Sequence, residues 1–163
     1  LRGLIGFFDL PMSSMSAGSL DQKNLTLDFK GSLISAASAI CYEVAYGDTI
    51  RRRSIGASLI VNVSNDTWFG ETQGPWQHLQ IARVRALENG RPVLRATNNG
   101  VTAVIDKSGD ILETLPQFES GVLSANVRLT SGRTPYSYLG DWPLMAGILL
   151  VLLWGYRSRN SQG

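Results

Sequence analysis

Cysteine and histidine each occur once, as Cys41 and His78, and charge is sparse: Asp, Glu, Lys and Arg make up 17% of 163 residues. A single thiol closes no internal disulfide, and one Cys with one His offers no metal-ligating spacing, so neither a disulfide framework nor a metal site is expected. The formal net charge of +2 is small and dispersed, which argues against a nucleic-acid partner. Of the basic clusters, Arg51-Arg52-Arg53 reads as a solvated last helical turn, where cations complement the helix dipole. The chain opens on Leu1 without methionine and shows no basic stretch followed by an apolar run, so its start is expected to lie inside a longer protein. Internal repeats and low-complexity tracts are missing too.

What is present suffices for one domain with a real core. From residue 33 to residue 127 the pattern alternates. "SLISAASAI" reads as a strand, "EVAYGDTIRRR" as a helix and "ASLIVNVS" as a β-branched, buried strand. "GPWQHLQIARVRALENG" is predicted to be a helix, with Pro75 at its first turn, Trp76, Leu79, Ala82, Arg83, Ala86 and Leu87 at helical spacing, and Gly90 as the stop. "RPVLRAT", "GVTAVID", "ILETL" and "GVLSANV" follow as short strands, with "DKSGD" as a hairpin turn between two of them. The fold class is therefore α/β, a βαβ start passing into a β meander. The opening "LRGLIGFFDLPMSSMSAGS" reads as an exposed apolar loop, which either dips into lipid or folds over its own core. Near the other end "WPLMAGILLVLLWGY" carries no charge over 15 residues and is bracketed by Asp141 and by Arg157 and Arg159. Apolar on all faces and flanked by Trp142, Trp154 and Tyr156, it is expected to be a transmembrane helix over residues 139–156, with 157–163 as a cytoplasmic tail, although it is shorter than the ~20 residues of a usual span.

In "AICYEVAYGD" a strand of small residues runs into Cys41 and then into helix. That places a side chain at the carboxyl edge of a sheet, where ligands bind in α/β folds, and at the positive end of a helix dipole, which favours a thiolate. Cys41 is thus a candidate nucleophile, and equally a candidate small core residue. Glu43 orients a substrate, bonds the neighbouring backbone, or is an ordinary acid of a helix first turn. "SNDTWFG" crowds polar and aromatic residues, Trp68 among them, into a loop after a buried strand. Asn98-Asn99-Gly100 is by itself a hairpin turn, and His78 is expected to pack within its helix.

"ICYE", "VNVSNDTWFG", "GPWQHLQIARVRALENGRPVLRATNNGVTAVID" and "TPYSYLGDWPL" together resemble the apolipoprotein N-acyltransferases, bacterial inner-membrane enzymes of the carbon-nitrogen hydrolase (nitrilase) superfamily. The resemblance implies the carboxyl-terminal part of a periplasmic nitrilase-like α-β-β-α sandwich, residues 1–138, followed by the last transmembrane segment. It implies a Glu-Lys-Cys triad without a cofactor. The cysteine would take an acyl chain from a phospholipid, usually phosphatidylethanolamine, as a thioester, and pass it to the α-amino group of the diacylglyceryl-cysteine that begins an apolipoprotein. Cys41 matches the nucleophile, Tyr42 and Glu43 the adjoining motif residues, and Trp68 the tryptophan near the active site. The triad glutamate and lysine would precede this stretch; Lys23 and Lys30 match neither, so the chain by itself is expected to be inactive.

Two other readings remain at this level. One is a soluble or membrane-anchored nitrilase-like amidase, against which the terminal apolar segment argues. The other is a non-catalytic module in which Cys41 is core.

Overall fold

The computed structural model describes residue 19 and residues 22–160. Six strands form one mixed sheet in chain order: β1 (Leu25–Phe29), β2 (Ser32–Ile40), β3 (Leu59–Asn65), β4 (Val93–Asn98), β5 (Ala103–Ile105) and β6 (Ile111–Thr114). The β2–β3 and β3–β4 pairs are parallel and the others antiparallel. Parallel neighbours need a crossover, and helices α1 (Gly47–Arg53) and α2 (Gly74–Asn89) supply the two. Helices α3 (Pro135–Leu139) and α4 (Trp142–Asn160) close the described chain.

Strand periodicity decides which side is core. Ala37 and Ala39 of β2, Ile60 of β3, Val93 of β4, and Ala103 and Ile105 of β5 are buried together with Ile50 of α1 and Leu79, Ala82 and Ala86 of α2. Their alternates Ile40 and Val63 are exposed, so the helices cover one face and leave the other open at the carboxyl ends of β2 and β3. The described residues thus form an α/β unit with a mixed sheet, one sheet and one helical layer of the expected sandwich. Burial of a side chain the size of Leu79 stabilises such a layer by about 1.5–3 kcal/mol.

The firmest local expectations are met. Helix α2 has Pro75 in its first turn and ends at Gly90, whose φ of 60° accommodates the left-handed cap. Its buried face differs in detail: Pro75, His78 and Asn89 join Leu79, Ala82 and Ala86, while Trp76 and Leu87 are exposed. The "DKSGD" hairpin closes through the Asp106 amide donating to the Asp110 carbonyl at 2.8 Å. Gly109 there has φ +84°, and an added Cβ would lie 3.0 Å from the Arg83 carbonyl oxygen. Gly109→Ala is therefore expected to cost about 1–2 kcal/mol in denaturant unfolding and to leave catalysis unchanged; a lost reaction in the folded variant would contradict a purely structural role.

Four expectations need correction. The helix read over "EVAYGDTIRRR" is two pieces: a 3-10 helix, Cys41–Ala45, and α1, separated by Tyr46 in extended conformation at φ −84°, ψ 92°. The strand read in "GVLSANV" does not form; among the described residues, 121–127 join no ladder, and Val122 is 91% exposed. Arg53 is not a solvated end residue. Its guanidinium is buried and donates to Glu43 Oε2 at 2.7 Å and to the Ser38 carbonyl at 3.2 Å, whereas Arg51 and Arg52 pair with Asp48.

The fourth concerns the end of the chain. Residues 142–160 are helical, yet no helix among the described residues is long and apolar enough to cross a membrane. The uncharged stretch of 15 residues rises only about 22 Å at ~1.5 Å per residue, against a hydrocarbon core of ~30 Å. Beyond it α4 continues through Arg157, Ser158 and Arg159, so the expected boundary between membrane segment and tail falls inside one helix. Residues 1–18 of the opening apolar loop, "FFDLPMSS" included, lie outside the described residues.

Candidate active site

Cys41 is the first residue after β2, at the carboxyl end of the parallel strands. It is partly exposed, is not in a disulfide, and has φ +51°, a left-handed backbone uncommon for any residue but glycine. A strained residue on a strand-to-helix turn projects its side chain out of the sheet edge, as nucleophile elbows do. Here it opens onto a depression of about 450 Å³ on the uncovered sheet face. Ile40, Val63 and Ala96 form its apolar floor, and Ser64, Asn65, Thr97 and Asn98 its polar rim at the ends of β3 and β4. Geometry of this kind suits attack on a carbonyl attached to an apolar group and does not suit a buried core thiol.

Glu43 turns inward to hold the turn together. Its carboxylate accepts the Ile40 amide at 2.9 Å and the Arg53 guanidinium at 2.7 Å, so both groups fix the exit from β2. The Arg53 hydrogen bond, opposed by partial burial, holds the Glu43 carboxyl below the ordinary glutamate value. Of the roles open from sequence, the bond to neighbouring backbone is present. Tyr42 is exposed beside the thiol, its ring 6.2 Å from that of Tyr46 and 5.9 Å from that of His78. Trp68 stands on the 3-10 turn Thr67–Phe69 after β3, 90% exposed and outside the lining of the depression. Lys30 lies in the β1–β2 turn, at the opposite end of β2 from Cys41, and its ammonium sits over Phe29.

Under the depression runs a buried polar network that the sequence reading missed. Arg95 of β4 pairs with Asp66, Nη2 to Oδ2 at 2.6 Å, both side chains fully buried. Its Nη1 donates to Asn62 Oδ1, and Asn62 Nδ2 donates to the carbonyls of Ala39 at 3.1 Å and Cys41 at 3.4 Å. Asp66 Oδ1 also accepts from Ser64 Oγ at 2.6 Å and sits 3.0 Å from His78 Nδ1. His78 therefore does more than pack within its helix, because it shares the Asp66 carboxylate with Arg95. The available signal was Asn62 inside "LIVNV" and Arg95 inside "VLRAT": both polar residues occupy positions where strand alternation points to the core.

Burial alone would raise the Asp66 carboxyl, but the His78 and Ser64 hydrogen bonds and the charge of Arg95 outweigh it and hold the group below the ordinary aspartate value. In the unfolded chain that carboxyl takes up its proton first, so its contribution to stability is complete above the ordinary carboxylate range and is lost as the pH falls through the folded-state value. The stability gap between the wild-type protein and Asp66→Asn is expected to narrow from about pH 6 to about pH 3. Melting temperatures across that range check this; a constant gap would mean that the Asp66 carboxyl binds its proton alike in the folded and unfolded chain.

Comparison with known proteins adds family context. The sequence model of the carbon-nitrogen hydrolase family matches residues 12–134. Curated relatives named apolipoprotein N-acyltransferase include one from Shewanella oneidensis, 48% identical over 164 residues, covering 99% of this chain and 31% of the relative. A second, from Photobacterium profundum, is 49% identical and covers 88% of this chain and 27% of its own length. A third, from Pseudomonas aeruginosa, is also 49% identical, with 98% and 30% covered. The chain thus spans under a third of the length of these relatives. Among solved structures, an amidase from Nesterenkonia is 25% identical, with 62% of this chain and 40% of that one covered at a TM-score of 0.46.

Proposed function

Because the chain belongs to the carbon-nitrogen hydrolase family, we propose that it carries the nucleophile of an apolipoprotein N-acyltransferase acting in lipoprotein maturation, with Cys41 as that nucleophile. The observation that carries this reading is the partly exposed Cys41 at φ +51°, set at the edge of three parallel strands over an apolar-floored depression. The curated relatives' shared name supports the reaction class.

In the first half-reaction the Cys41 thiolate attacks the ester carbonyl of a phospholipid, phosphatidylethanolamine in the usual case. A carbon–sulfur bond forms, the ester carbon–oxygen bond breaks, and the departing lysophospholipid oxygen takes a proton. In the second, the α-amine of a diacylglyceryl-cysteine attacks the thioester, loses a proton and releases the thiolate, leaving an amide on the apolipoprotein. Ile40, Val63 and Ala96 offer the acyl chain an apolar surface, and the rim amides of Asn65 and Asn98 offer donors to the carbonyl. Glu43 and Arg53 keep the turn in place, Tyr42 presents exposed aromatic surface on it, and Trp68 presents exposed aromatic surface on the turn after β3. The proton-transferring glutamate and lysine would come from other parts of the full-length protein.

The setting proposed is a bacterial inner membrane with this unit on the periplasmic side. Exposed Leu144, Ile148, Val151 and Leu152 of α4 are consistent with a lipid neighbourhood and do not require that helix to cross. The testing experiment incubates the full-length protein in detergent with phosphatidylethanolamine and seeks an acyl adduct on Cys41 by peptide mass spectrometry. A hydroxylamine-sensitive adduct supports the reading. No adduct on folded protein, with turnover of a small amide instead, would favour the amidase reading.

A further inference from the structure

We infer that Asn62 and Arg95 are positioning residues for the nucleophile: the Asp66–Arg95–Asn62 chain holds the backbone of Cys41 in its left-handed conformation. This rests on Cys41 being the reactive group. A left-handed non-glycine residue persists only where its surroundings over-determine it, and here the polar restraint from below is traceable. Asn62 Nδ2 donates to the carbonyl two residues before the thiol and to the carbonyl of Cys41 itself, so one side chain ties β3 to both sides of the elbow. The amide is held in that orientation because its Oδ1 accepts from Arg95. Arg95 is held in turn by the fully buried Asp66, whose other oxygen is engaged by Ser64 and His78. All four side chains, Asn62, Asp66, His78 and Arg95, are buried, so none is positioned to touch a substrate in the depression. Burial also makes the chain stiff, since each donor that let go would lose its partner without gaining water.

Asn62→Asp separates this role from bulk stability. The aspartate keeps a partner for Arg95 but cannot donate, so both carbonyls at the elbow lose their restraint. In the full-length protein the variant is expected to unfold at a lower denaturant concentration than wild type, because a second carboxylate is buried beside Asp66, and, in the folded fraction, to form the Cys41 thioester roughly 10- to 100-fold more slowly while keeping its KM for phospholipid. Alkylation of Cys41 by iodoacetamide, which needs no lipid, is expected to slow in parallel. A thioester on wild-type protein with an undiminished rate in folded Asn62→Asp would overturn the positioning role and leave the nucleophile intact. If wild-type protein forms no thioester, the acyl-transfer reading falls, and the alkylation rates decide the positioning role: slower in the variant supports it, equal overturns it. Should Asn62→Asp not fold, Arg95→Lys, which keeps the charge but cannot reach Asp66 and Asn62 together, takes the same two readouts; failure of both variants to fold would make the network purely structural and end the proposal.

Discussion

Replacing Cys41 by alanine in the full-length protein is expected to abolish acyl transfer, by roughly four orders of magnitude or more, while changing stability by no more than about 1 kcal/mol. The argument is local. Cys41 lies outside the buried cluster that α1 and α2 form with the sheet, and its thiol opens onto the depression above Ile40 and Val63. Alanine occupies the same left-handed backbone at much the same cost as cysteine, so the elbow and its bonds to Glu43 and Asn62 have no reason to move. What disappears is the atom proposed to form the thioester, and no neighbouring side chain lining the depression is a comparable nucleophile at neutral pH. Acyl-transfer rate and denaturant midpoint measured on one preparation decide the matter. Persistent turnover would remove Cys41 from the mechanism. Loss of turnover together with loss of folding would return it to a structural role.

The second large effect belongs to Arg95. Arg95→Met leaves the Asp66 carboxylate fully buried without the cation it lies 2.6 Å from, and takes away the donor that orients Asn62. Breaking one side of a buried pair costs about 3–5 kcal/mol, because the remaining charge is neither solvated nor matched. Burial opposes the charge of Arg95 itself and holds its pKa below the ordinary arginine value, with the Asp66 carboxylate acting in the other direction, so the Arg95 charge is tolerated largely through Asp66. The double variant Arg95→Met with Asp66→Leu removes both charges and is expected to recover much of the lost stability without recovering acyl transfer, since Asn62 stays unoriented. Denaturant midpoints for the two single variants and the double variant form the cycle. Additive losses would mean that the pair contributes nothing specific, and a double variant with full activity would detach the network from the site.

Much of the fold was legible because the relevant forces are local. The β-branched run around Ile60, the helical spacing of Leu79, Ala82 and Ala86, the proline and glycine that bound α2, and the turn at Gly109 each act over a few residues. The same local character explains the failures. Residues 121–127 have strand-like composition but join no ladder among the described residues, and Tyr46 interrupts a run that periodicity alone reads as one helix. The uncharged stretch in α4 looked like a membrane segment by composition, yet no helix among the described residues is long and apolar enough to cross a membrane.

By itself the sequence determined the α/β class, the order of its main strands and helices, and Cys41 at the end of a small-residue strand, and its resemblance indicated the carbon-nitrogen hydrolase family. Only the tertiary structure decided that Arg53 turns inward to Glu43, that Cys41 adopts a left-handed backbone, and that Asn62, Arg95, Asp66 and His78 meet beneath it. The reason is that hydrophobic periodicity reports which side of an element is buried. The partner of a buried polar group is chosen by residues far away in the chain, 33 positions apart for Asn62 and Arg95, which become neighbours only when parallel strands align in register.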